Sequence, residues 1–122
     1  MIDFINALID IIKLLAADAE EQLNYLAKIG VAGGIDELAL EFEDVAILAQ
    51  SKLNQGQINE IQYQKICDLN QKLIDMSGEE NAVLWTEEAL RESDDWKAVR
   101  RLARNCLEVF GSDQPAYIWT PP

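Results

Sequence analysis

Carboxylate side chains are the groups in this sequence whose type and spacing could carry out chemistry. The chain of 122 residues contains 22 Asp and Glu against 10 Lys and Arg, a net charge of −12, and it has no histidine. Ser-His-Asp triads, Cys-His dyads and Cys/His zinc sites are thereby excluded. Carboxylates can still hold Mg²⁺, because that ion prefers oxygen ligands. Asp18 and Glu21 form one pair a helical turn apart, and Glu41 and Asp44 form a second.

The two pairs resemble the E-x-x-E and E-x-x-D motifs of the all-α nucleoside-triphosphate pyrophosphohydrolases, with Asp18 where that family has Glu. The resemblance implies a Mg²⁺-dependent nucleotide phosphohydrolase in which carboxylates on the first two predicted helices hold the ion. Its metal ligands would be Asp18, Glu21, Glu41 and Asp44. A solvated acidic face is the interpretation that the composition favours, and it requires no cofactor.

The second predicted helix carries a cluster of acids that suits a binding surface. Glu37, Glu41 and Asp44 lie along one face of that helix and are candidate partner-binding residues. A strongly negative protein is steered rapidly onto a basic partner and repels nucleic acid and anionic membranes. We therefore expect a protein partner with a basic surface, and neither nucleic acid nor a membrane.

Four cations follow one side of the last predicted helix, at Lys97, Arg100, Arg101 and Arg104. Pairing with the chain's own surplus carboxylates is the favoured interpretation, since such surface pairs are common and weak. The alternative is that Arg100, Arg101 and Arg104 contact an acidic protein or a phosphate group.

Two tryptophans, Trp85 and Trp96, flank a charged linker. A tryptophan at a helix end is most often a large core anchor, and the alternative is a hot spot in an interface. The segments 81–91 and 96–104, taken together, resemble small acidic bacterial proteins of uncharacterised function. That resemblance implies an immunity-like or antitoxin-like role.

A helical period runs through the chain and predicts an all-α domain of about five helices, bundle-like or orthogonal. The helices are expected over 3–29, 37–53, 58–76, 79–91 and 94–110, the fourth as one helix or two short ones. Asp36 and Ser77 are expected as N-caps, and Gly30 and Gly111 as helix ends. The domain would cover 1–111, with an extended Pro- and aromatic-rich tail over 112–122.

The first predicted helix shows only a thin polar stripe, so most of its surface must be covered. Either the rest of the domain covers it, or a second copy does, which would make the protein a structural homodimer. Cys67 and Cys106 do not form a disulfide framework, and the acidic start of the chain lacks the basic region of a secretory signal. We therefore expect a cytoplasmic protein, with a non-enzymatic acidic protein-binding module as the leading hypothesis.

Overall fold

The computed structural model describes residues 4–113, and the regular secondary structure of this part of the chain is all helical. The prediction of an all-α fold is confirmed, but the described residues form seven α-helices and one 3₁₀-helix rather than about five helices. Their bounds are α1 (Phe4–Ala16), α2 (Ala19–Lys28), α3 (Asp36–Ala46), α4 (Ala49–Asn54), α5 (Glu60–Asp75), the 3₁₀-helix η1 (Glu79–Trp85), α6 (Glu87–Glu92) and α7 (Asp94–Asp113). None of these helices is long and apolar enough to cross a membrane.

The predicted first helix is divided into α1 and α2 by a break after Ala16. The Asp18 side chain accepts a hydrogen bond from the Glu21 backbone N–H at 2.9 Å and so caps the start of α2. The Gln22 side-chain amide lies within 3.2 Å of the carbonyl oxygens of Leu14 and Leu15, the last turn of α1. Polar side chains thus form hydrogen bonds with backbone N–H and C=O groups that the break leaves without partners within a helix.

Helix α1 lies at the centre of the fold, between α7 on one side and α3 on another, and α7 also packs against α5. Its apolar side chains Leu8, Ile9, Ile12 and Leu15 are at most 1% exposed within a single chain. The thin polar stripe therefore reflects coverage by the same domain. No second copy is required to bury this helix.

The later helices also contribute large apolar side chains to the core. Phe42 and Leu69 are fully buried, and so are Trp96 and Cys106 on α7. The predicted second helix, however, is divided into α3 and α4 near Ile47. Two apolar side chains of this segment, Leu40 and Ile47, are not in the core, since they are 46% and 75% exposed.

The helix ends differ from prediction at three positions. Ser77 does not cap η1, because its hydroxyl donates to the Leu73 carbonyl, and Gly78, with a φ of 106°, precedes the 3₁₀-helix. Asp36 lies inside the first turn of α3 rather than at its N-cap. Gly111 does not end α7, which continues to Asp113, so the predicted tail loses its first two residues to this helix. Residues 114–122 of that tail lie outside the described part of the chain.

Candidate functional site

A cleft of about 560 Å³ lies between α1, α2 and α3, and we call it the acidic cleft. Its described lining residues are Ala7, Asp10, Ile11, Leu14, Tyr25, Glu41, Asp44 and Val45. Three of these eight carry a carboxylate and none carries a positive charge. The others supply an apolar floor, so the cleft has the character of a receptor for a cation on an aliphatic stem.

Each of the three carboxylates reaches the cleft from the outward part of its helix. Asp10 belongs to the polar stripe of α1, and this stripe faces solvent rather than the core. Glu41 and Asp44 lie one turn apart on α3, at the flank of the face that buries Leu38 and Phe42. Asp10 and Asp44 are exposed, whereas Glu41 is half-buried.

Tyr25 on α2 holds Glu41 in place. Its hydroxyl donates a hydrogen bond of 2.6 Å to Glu41 Oε1. This bond, together with burial and the negative charges of Glu41 and Glu37, raises the pKa of Tyr25 from 10.0 to about 12. The phenol therefore stays protonated at physiological pH and keeps one oxygen of Glu41 bonded.

The raised phenol pKa predicts a distinct tyrosine titration. The difference in phenolate absorbance between the wild type and Tyr25→Phe reports the titration of Tyr25, and we expect its midpoint near pH 12. In a Glu41→Gln background we expect the midpoint of Tyr25 to move back towards 10. Since the folded-state pKa lies above the ordinary value, this bond stabilises the fold fully below about pH 10. Its contribution is lost as the pH rises through 12. A Tyr25 midpoint unaffected by Glu41→Gln would contradict the assignment.

The four acids proposed as metal ligands are not gathered at one point. Among residues 4–113 there is no group of three or more His, Cys, Asp or Glu side chains that could hold a metal ion. Asp18 caps α2 and Glu41 is bonded to Tyr25. The acids whose spacing resembles the pyrophosphohydrolase motifs therefore do not form a common set of metal ligands in the described part of the chain.

The structure places the predicted acidic partner-binding residues on one side of α3. Glu41 and Asp44 line the acidic cleft, and Glu37 lies close enough to Tyr25 to raise its pKa. Asp10 and Tyr25 were not singled out in the sequence. Asp10 gave no signal beyond its place in a polar stripe, and Tyr25 becomes relevant only because α2 packs beside α3.

The cations of α7 do not behave as a group. Arg100 is 9% exposed and donates to the carbonyl oxygens of Ala17 and Leu90 and to the side chain of Gln22. Burial lowers the pKa of its guanidinium from the ordinary value, and the nearby negative charge of Asp18 opposes that change. Arg100 thus holds the end of α1, helix α2 and the end of α6 together.

The other three cations of this row, Lys97, Arg101 and Arg104, are exposed. None of them forms an ion pair with a carboxylate that the structure describes, so their pairing with the chain's own acids stays a prediction. Ion pairs among the described residues include those of Lys72 with Asp95 and of Arg91 with both Glu20 and Glu87.

The two tryptophans form a T-shaped pair with ring centroids 5.4 Å apart. Trp96 is fully buried, and its indole N–H donates to the Leu84 carbonyl at 2.7 Å. Trp85 is half-buried and donates to the Met76 carbonyl at 2.8 Å. Trp96 is therefore a core anchor, whereas Trp85 reaches a second groove beside η1.

Comparison with known proteins provides no further assignment. No family model matches this chain, and no curated protein or solved structure matches it significantly. The implied roles as a phosphohydrolase or an immunity-like protein stay predictions from sequence, and the cleft geometry is the basis for a functional proposal.

Proposed function

We propose that the protein is a non-enzymatic binding module that engages a basic protein partner through the acidic cleft. The observation that carries this proposal is the composition of the cleft: three carboxylates surround an apolar floor, and no lining residue is basic. A lysine or arginine side chain matches such a surface, because its aliphatic stem packs on apolar groups while its charge meets the carboxylates.

The distribution of charge supports the same proposal. Residues 1–90 hold 17 acidic and 5 basic residues, which accounts for the whole net charge of −12. The cleft-forming helices α1, α2 and α3 all belong to this part of the chain. A negative field around a cleft increases the rate at which a basic protein arrives and disfavours nucleic acid.

The role we propose is immunity-like or antitoxin-like: the acidic surface covers a basic surface of its partner. The proposed setting is the cytoplasm, where the two free thiols, Cys67 and Cys106, remain reduced. A homodimer through α1 has no comparable support, because α3 and α7 of the same chain cover that helix.

Neutralising the cleft is expected to slow association with a basic probe. We expect the double variant Asp10→Asn and Asp44→Asn to bind a helical lysine/alanine peptide of about 18 residues, five turns long, with an on-rate about three- to tenfold lower at low ionic strength. The dependence of the on-rate on salt should flatten at the same time. Stopped-flow fluorescence with a labelled peptide measures both quantities.

A matched control changes the net charge equally at another place. The variant Glu92→Gln with Glu108→Gln removes two exposed carboxylates that do not line the cleft. When all on-rates are compared at about 0.1–0.15 M salt, it should retain an on-rate within about twofold of the wild type, because the effect of a surface charge then falls off over roughly 8–10 Å. Equal slowing by both double variants would refute a role for the cleft and leave only a general effect of net charge.

A further inference from the structure

A second concave surface lies on the other side of α3, between that helix and η1. It has a volume of about 480 Å³, and we call it the α3–η1 groove. Leu40, Ala82 and Trp85 contribute apolar surface to it, while Asp36 and Glu79 contribute carboxylates. As in the acidic cleft, none of the described residues that line it is basic.

The outward side of α3 extends this surface beyond the groove. Asp36, Leu40, Glu43 and Ile47 are separated by four, three and four residues, so they form one stripe along the helix. Ile47 caps the helix with right-handed helical dihedrals, which keeps it in line with the others. The stripe alternates carboxylate and aliphatic side chains over about 16 Å, the rise of eleven helical residues.

The aliphatic members of the stripe have no partner that covers them within the described residues. Leu40 is 46% exposed and Ile47 is 75% exposed, and Val83 on the adjacent η1 is 71% exposed. Leu40 lines the groove, and Ile47 continues the same stripe of α3 beyond it. Several large hydrophobic side chains exposed along one surface are typical of an interaction site, in contrast to single exposed ones. The alternating carboxylates specify what kind of surface can cover them.

A second copy of this chain is a poor occupant of the groove. Each copy carries a net charge of −12, and the rim of the groove is itself acidic. The exposed cations of α7 in a second copy could offset this repulsion, but that helix does not supply the apolar side chains that the groove also needs. Within the described part of α7 no large hydrophobic side chain is exposed that could fill an apolar groove. Charge complementarity favours a partner that is basic, and the exposed side chains of Leu40 and Ile47 favour one that is also apolar.

We propose that the α3–η1 groove docks a basic amphipathic helix of the partner protein. Aliphatic side chains of that helix, seven residues apart, lie on Leu40 and Ile47, and its Lys or Arg side chains meet Asp36, Glu43 and Glu79. This is a helix-in-groove arrangement, in which apolar anchors provide affinity and charges provide register. This inference rests on the proposed function. It adds that the same partner contacts the protein at a second place, the α3–η1 groove, through a helix with both basic and aliphatic side chains.

Two peptides distinguish the groove from the acidic cleft. The first is the lysine/alanine helix described above, and the second carries leucine at successive spacings of four and three along one face, with the same number of lysines. We expect the wild type to bind the leucine peptide about tenfold or more tightly than the alanine peptide, measured by fluorescence anisotropy. The double variant Leu40→Ala and Ile47→Ala should lose most of that preference and keep its affinity for the alanine peptide.

The matched control is the double variant Ile61→Ala and Ile74→Ala, which truncates two exposed isoleucines of α5. It should keep the preference for leucine, and circular dichroism should show that both double variants are folded. A preference that survives in the Leu40/Ile47 variant, or that falls equally in the control, overturns the groove inference. Equal binding of both lysine peptides by the wild type overturns the groove and retains the proposed function, whereas no binding of either overturns both.

Discussion

Replacing Arg100 by alanine is expected to lower the free energy of unfolding by about 3–4 kcal/mol, a large effect for one side chain in a domain of this size. Arg100 is almost completely buried and donates to three acceptors, on Ala17, Gln22 and Leu90. Each buried acceptor left without a donor costs about 1–3 kcal/mol, less where water enters the space. Urea unfolding followed by circular dichroism measures the loss.

Two variants separate the role of hydrogen bonding from that of charge. Arg101→Ala removes an exposed cation with no described ion pair and should change stability by less than about 0.5 kcal/mol. Arg100→Lys keeps the charge, but an ammonium group cannot reproduce the planar arrangement of guanidinium donors, so it should lose a large share of the same stability. If Arg100→Ala were as stable as Arg101→Ala, the hydrogen bonds of Arg100 would not be what holds these helices together.

Trp96→Ala is expected to cost about 4 kcal/mol, in the range for truncation of a fully buried aromatic side chain. The substitution leaves a cavity between α7 and its neighbours and removes the donor to the Leu84 carbonyl. It also removes the ring against which Trp85 packs edge-on. Thermal and urea unfolding measure this loss.

Trp96→Phe tests the polar part of the same interaction. It retains most of the buried ring and loses the N–H, so it should cost roughly 1–3 kcal/mol, and clearly less than Trp96→Ala. Trp85→Phe is the matched comparison, since Trp85 also donates to a backbone carbonyl but is only half-buried. A Trp96→Ala protein with unchanged stability that bound the partner weakly would instead place Trp96 in an interface.

The buried network of Arg100 also bears on the acidic cleft. Gln22, which accepts from Arg100, lies one turn before Tyr25 on α2. Tyr25 in turn bonds Glu41 on α3. The network therefore helps to set the position of α2, and with it the wall of the cleft that contains Tyr25. Substituting Arg100 is expected to affect binding as well as stability.

Helical class and most of the core were predictable because both depend on local periodicity. Side chains three and four residues apart share a helix face, so Phe42, Leu69 and Trp96 could be assigned to the interior from spacing alone. The broad apolar surface of the first helix correctly indicated extensive coverage. An N-cap is a local feature of the same kind, as at Ser93, whose hydroxyl accepts from the Trp96 backbone N–H.

The breaks in the first two predicted helices were not predictable by the same means. The helical spacing of polar and apolar residues continues across Ala16 and Ala17, but Arg100 and Gln22 provide the donors that make a helix end there tolerable. Arg100 comes from a helix more than eighty residues further along the chain. A pattern within one segment contains no information about such a donor.

By itself, then, the sequence determined an acidic, all-helical chain, the inward faces of its main helices and the absence of histidine chemistry. The tertiary structure alone decided that Asp10, Tyr25 and Glu41 share a cleft, that Arg100 is buried while Arg101 is not, and that Leu40 and Ile47 stay exposed. The physical reason is that periodicity is set by neighbours three or four residues away. Clefts, buried hydrogen bonds and uncovered faces depend instead on which helices meet across the fold.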